Sequence, residues 1–208
     1  LGLQSVSNVE SVFGYQGVTF GGKENDWSFS MDQTAEGGYI IVGDTRSFGE
    51  ADIFNGDVWL VKVNSNGDSL WTKALDFGQA EQGASIQQTF DGGYIIAGFS
   101  NCYDDCDLLT LKTDRYGRVE WSRSLKTTLS SSYKMLEAPS DSTFSSEQGT
   151  SIQQTDDGGY IVTGWIKANI DTLRPMFEDA FIIKINSVGD MVAMVYDGTS
   201  NSGETIDE

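Results

Sequence analysis

One eight-residue pattern occurs three times in this chain and constrains its fold more than any other feature. Glu36-Gly37-Gly38-Tyr39-Ile40-Ile41-Val42-Gly43 returns as Asp91-Gly92-Gly93-Tyr94-Ile95-Ile96-Ala97-Gly98 and again as Asp157-Gly158-Gly159-Tyr160-Ile161-Val162-Thr163-Gly164. The likeness extends both ways. Ser85-Ile86-Gln87-Gln88-Thr89 is repeated letter for letter at 151–155, and Ser30-Met31-Asp32-Gln33-Thr34 is a looser copy. Downstream, Asp57-Val58-Trp59-Leu60-Val61-Lys62 matches Asp107-Leu108-Leu109-Thr110-Leu111-Lys112 and Asp179-Ala180-Phe181-Ile182-Ile183-Lys184. Gly67-Asp68-Ser69-Leu70-Trp71 and Gly117-Arg118-Val119-Glu120-Trp121 follow, with Gly189-Asp190-Met191-Val192-Ala193 in third place. A unit reused in this way buries its apolar face against its neighbours, so the chain reads as a repeat array.

Each unit reads as four short strands. The apolar runs are rich in β-branched and aromatic residues and have no 3.6-residue period. An acidic-Gly-Gly turn joins the first strand to Tyr-Ile-Ile-x-Gly. A variable loop leads to the third strand, and a Gly-containing hairpin gives the fourth. Four strands per repeat of this length is the signature of propeller blades. The expected fold class is therefore all-β, a β-propeller-type array of four-stranded antiparallel blades.

These landmarks resemble the propeller repeats of bacterial and archaeal secreted or surface proteins, the SBBP-like group. The Gly67–Trp71 and Gly117–Trp121 hairpins are also similar to the tryptophan-docking motif of quinoprotein-like propellers. The resemblance runs over about residues 20–208. It implies an architecture and an extracellular or cell-surface location. It implies no single activity, because propellers host many.

The expected organisation is one repeat domain over residues 1–208. It comprises a partial blade at 1–22, blades at 23–77, 78–146 (with an insertion) and 147–200, and the start of a further blade at 201–208. Val12 to Phe20 resembles a fourth strand, and Gly203-Glu204-Thr205-Ile206 resembles a first strand. Three full repeats with loose ends fall short of the roughly 4–8 blades of closed propellers. Either the chain is part of a longer one, which residue 1 being Leu also fits, or neighbouring chains supply the missing strands.

Composition removes several functions. The chain has no histidine and only two cysteines, so Ser-His and Cys-His catalysis, His-ligated zinc and Cys₄ sites are excluded. A net charge of −18 repels phosphate backbones and anionic lipid, so nucleic acid is not an expected partner. No apolar run reaches the roughly 20 residues that span a bilayer, so no membrane insertion by a helix is expected.

A residue present in every blade is more simply a requirement of the blade than a catalyst. Tyr39, Tyr94, Tyr160, Trp71 and Trp121 therefore read as packing residues. Lys62, Lys112 and Lys184, with Asp57, Asp107 and Asp179, read as blade-to-blade ion pairs or Asp-to-backbone bonds. Gln33, Gln88 and Gln154 read as bridges between strands or the lining of a channel. The length variation falls in the loops Asp44–Gly56, Phe99–Cys106, Trp165–Glu178 and, roughly, Leu125–Gln148. In an antiparallel meander these all emerge on one face, and variable loops on a rigid scaffold are where binding sites sit. The face is acidic and aromatic, and its candidate ligand-binding residues are Asp44, Asp52, Tyr103, Asp104, Asp105, Trp165 and Asp171.

Three chemistries fit that face. Carboxylates such as Asp104 and Asp105 suit Ca²⁺, although no Asp-x-Asp-x-Asp-Gly loop is present. Aromatics beside carboxylates stack on sugars and hydrogen-bond to them. A carboxylate pair can cleave a glycoside without histidine, although the sialidase-type Asp box is absent. The bland alternative is a solvated acidic surface that keeps the protein soluble. Cys102 and Cys106 read as a disulfide closing a short loop, with free thiols or a soft-metal pair as alternatives. The expected role is a non-catalytic extracellular binding, adhesion or structural module whose partners are other protein chains. The alternative is a carbohydrate-active propeller that binds or cleaves glycans.

Overall fold

The computed structural model describes residues 9–10, 16–49, 56–100, 106–125, 145–168 and 177–196. They form an all-β structure with no helix among them. After a small hairpin, β1 (Val9–Glu10) and β2 (Gln16–Gly17), come three four-stranded antiparallel sheets. The first is β3 (Asp26–Gln33), β4 (Tyr39–Thr45), β5 (Asp57–Val63) and β6 (Ser69–Leu75). The second is β7 (Glu81–Gln88), β8 (Tyr94–Ser100), β9 (Asp107–Thr113) and β10 (Val119–Leu125). The third is β11 (Ser145–Gln154), β12 (Tyr160–Ala168), β13 (Phe177–Ile185) and β14 (Met191–Tyr196). Each is a meander in chain order, and no sheet closes on itself.

Local chemistry explains the repeated letters. In the acidic-Gly-Gly turn the first glycine takes a positive φ, as at Gly92 (81°). The second admits a close approach: a β-carbon at Gly93 would stand 2.2 Å from the Thr113 carbonyl oxygen and 2.5 Å from Lys112 Nζ. The last glycine of Tyr-Ile-Ile-x-Gly faces a β-bulge. Register shifts occur at Ser28/Ser30, Gly83/Ser85 and Gly149/Ser151. The bulged strand drives a carbonyl toward the partner, so a β-carbon at Gly98 would meet the Gln82 oxygen at 1.9 Å. The hairpins between third and fourth strands are pinned by an Asx side chain: Asp114 Oδ1 accepts from the amides of Tyr116 (2.8 Å) and Arg118 (2.9 Å), and Asn64 and Asn186 do the same in their turns.

The lysines of the third strands bond within their own sheet, so the blade-to-blade ion pairs, one of the two expected readings, are not what they form. Lys112 Nζ lies 2.9 Å from Asp91, 3.0 Å from Glu120 and 2.9 Å from the Thr113 carbonyl. Lys62 donates to Thr34 Oγ1 at 2.8 Å, and Lys184 reaches Asp157 at 2.7 Å. Each ties the end of a third strand to the turn between the first two. The reason is register: Lys62, Lys112 and Lys184 pair with Ile40, Ile95 and Ile161, next to that turn.

Sheets join through their first strands. Gly83 of β7 faces Val42 and Val58 of the first sheet, and Gly149 of β11 faces Leu108 and Ala97 of the second. Gln88 Oε1 accepts the Ala35 amide at 2.7 Å, and Gln154 Oε1 accepts that of Phe90 at 2.8 Å, so these glutamines bridge sheets. The core is correspondingly divided: Val42, Val58 and Leu60 pack with Tyr94, Ile96 and Leu111, while Ala97 and Leu108 pack with Tyr160, Val162 and Ile183. Trp71 tilts against Tyr94 and Trp121 against Tyr160, with ring centroids 6.3 and 6.0 Å apart. Trp121 Nε1 also donates to the Ser187 carbonyl of the next hairpin at 3.2 Å, above Gly189.

Candidate functional site

The variable loops all depart from one end of their sheets, because Thr45 pairs with Asp57, Ser100 with Asp107 and Ala168 with Phe177. Asp52, Cys102, Tyr103, Asp104, Asp105 and Asp171 lie outside the described residues. Two other candidates are strand residues rather than loop residues, which corrects the loop limits read from sequence. Asp44 is buried in β4. Burial pushes its carboxyl up to about 6; Arg46 opposes the shift and Asp26 adds to it. Trp165 is half-buried in β12 opposite Ala180. Pairing continues there because Ile166, one residue on, is buried in the core. Asp179 pairs with Ile166 through its backbone. Cys106 is buried, its Sγ accepting from Gln148 Nε2 at 3.3 Å, and no described cysteine is a free thiol.

The loop-bearing end of the sheet junctions holds a chemical arrangement that the sequence reading missed. Glu81 opens β7, and its amide donates to the Gly56 carbonyl at 2.8 Å. Glu147 opens the second junction in the same way, donating to the Cys106 carbonyl at 2.7 Å. Both glutamates are essentially buried, at 2% and 1% exposure. Each lies beside the aspartate that starts the preceding third strand, Asp57 or Asp107. In the first four-stranded sheet, which has no described four-stranded sheet before it, Asp26 holds this position. It is satisfied locally, its carboxylate accepting from the Gly22 amide (2.8 Å), Ser47 Oγ (2.8 Å) and the Thr45 hydroxyl.

The two junctions then diverge. At the second, Ser124 Oγ donates to Asp107 Oδ2 at 3.2 Å. At the first, Ala74 stands at the matching position beside Trp59 and offers no hydroxyl. Asp76 follows instead, so one carboxylate oxygen each from Asp57, Asp76 and Glu81 lies within 4.8 Å of the others. Glu81 Oε1 accepts the Gln79 amide at 2.9 Å, while its buried Oε2 has no hydrogen-bond partner. Burial, with Asp57 and Asp76 adding to it, pushes the Glu81 carboxyl up to about 7 against the pull of the Gln79 and Phe77 amides. Glu81 also lines an open cleft with Phe77, Gln79, Ser100, Asp107 and Ser124. A sequence signal for this site existed: Glu81-Gln82-Gly83 recurs as Glu147-Gln148-Gly149, so an acid in fixed register at a strand start marks a junction.

No protein-family model matches the chain, and no curated protein does. Among solved structures it is similar to the crystal structure of a protein of unknown function from Bacteroides caccae. The TM-score is 0.42 at 12% identity over 88% of this chain, and the chain spans 64% of the length of that protein.

Proposed function

We propose that the chain is a non-catalytic extracellular module, an array of propeller-type blades whose end sheets bind further sheets of the same kind, foremost those of a second copy. The observation that carries this reading is the difference between end and internal faces. Met31 of β3 is 63% exposed, whereas the residues aligned with it, Ile86 and Ile152, are 5% and 3% exposed beneath a neighbour. Ile182 of β13 is 46% exposed, whereas the aligned Leu60 and Thr110 are fully buried. Phe20 packs against the Trp59, Val61 and Val63 part of the first sheet, so its open part is β3.

The open faces are complementary in size. Ser28 stands where the internal junctions have Gly83 and Gly149, and is bulkier. Thr163 and Ala180 stand where the receiving sheets have Val42 and Val58, or Ala97 and Leu108. The added β-carbon of Ser28 thus meets Ala180, smaller than the leucine it replaces. Covering what remains exposed of Met31 and Ile182 favours association by about 1–2 kcal/mol each. An extracellular setting fits the lack of a free thiol among the described cysteines. The test is light scattering across a concentration series. Average mass should rise with concentration, and Ile182→Asp should hold the protein monomeric with its strand signal intact. A wild type that remains monomeric at high concentration would overturn the proposal.

A further inference from the structure

We propose that the first junction is a binding site for one hard divalent cation of the calcium type, held by the carboxylates of Asp57, Asp76 and Glu81. Buried charge is costly unless it is compensated. Asp57 and Glu81 are each only 2% exposed, and their oxygens lie with that of Asp76 inside 4.8 Å. Three carboxylates at such separations repel one another, and the repulsion is stronger away from water.

Hydrogen bonds offset part of this, but not all. Glu81 Oε2 is buried without a partner, and one oxygen of the same carboxylate belongs to the cluster. The second junction shows no carboxylate triad of this kind among the described residues. It has the same buried glutamate and aspartate, Glu147 and Asp107, yet replaces Ala74 with the donor Ser124. The second junction thus gains a hydroxyl. The other loses the hydroxyl and gains a third carboxylate. An external cation supplies the missing positive charge and a partner for Glu81 Oε2.

The donor set selects the class of ion. It is all oxygen and all carboxylate, with no thiolate or imidazole, which suits a hard cation over zinc or copper. Calcium takes about six to eight oxygens in flexible geometry, and the adjoining open cleft leaves room for water to complete the shell. The ion would tie β5 and the end of β6 to β7, and so lock the first two sheets together. The expected affinity is that of extracellular calcium modules, a Kd of about 10⁻⁴–10⁻³ M.

The test is a calcium titration of chelator-treated full-length protein, read by calorimetry and by thermal unfolding. Wild type should bind one ion in that range, and its Tm should rise with calcium. Asp76→Asn should weaken binding at least roughly tenfold. Without calcium that variant should melt slightly above wild type, since it removes one of the repelling charges. Glu81→Gln should abolish the calcium response and melt higher than calcium-free wild type, since the amide removes the repulsion. Absence of any heat or Tm shift in wild type would overturn the site. A calcium response of undiminished size in both variants would also overturn it and place the ion elsewhere, for instance at Asp104 and Asp105.

Discussion

The two glycines of each acidic-Gly-Gly turn do different work, and substitution separates them. A β-carbon at Gly92 meets nothing within 4 Å, so Gly92→Ala pays only for its positive φ, about 1 kcal/mol. Gly93→Ala drives a β-carbon into the Thr113 carbonyl and should cost more than about 2 kcal/mol. Urea unfolding of the pair tests the ranking, and equal costs would contradict the close-approach account. Asp44 supplies a pH test. Its folded carboxyl, at about 6, lies above the ordinary 3.8, so its contribution to stability is complete below about 3.8 and lost as pH rises through about 6. Asp44→Asn should therefore gain roughly 1–3 kcal/mol on wild type between pH 4 and pH 7. Parallel pH profiles for the two proteins would contradict the assignment.

At the scale of the element, most strands were legible because their letters repeat, and a repeat reports the spacing of turns directly. The limits of second and third strands were not. Asp44 and Trp165 look like loop residues when an acid or a large aromatic follows Tyr-Ile-Ile-x-Gly, yet backbone pairing to β5 and β13 carries the strands further. The site was the least legible part. Glu81 resembles the many solvated acids of a chain with net charge −18, and only the sheet packed beside it removes it from water. Sequence likewise shows that the lysines recur but not that their register brings them to their own turn. The fourth strand makes a sharper prediction. Trp121 packs on Tyr160 and bonds to the next hairpin, so Trp121→Ala should cost about 3 kcal/mol in urea unfolding. Ala193, at the same position of the third sheet, is exposed and should tolerate polar substitution within about 0.5 kcal/mol. The reverse order would contradict the docking role.

Among the described residues, three four-stranded sheets meet at two like junctions, and Met31 of β3 and Ile182 of β13 stay exposed on the outer two. The proposed Cys102–Cys106 bridge belongs to the same extracellular reading. Thiol titration of the unreduced protein should find none, and reduction should release two; titratable thiols without reductant would contradict it. The proposed head-to-tail interface joins the two end faces, and mixing two variants tests it directly. Met31→Asp spoils the β3 face and keeps the β13 face, and Ile182→Asp does the reverse. Each alone should be monomeric by light scattering. Their equimolar mixture should form a dimer that grows no further, because only one good face of each kind is present. A mixture that stays monomeric, or a variant that still associates by itself, would contradict the account.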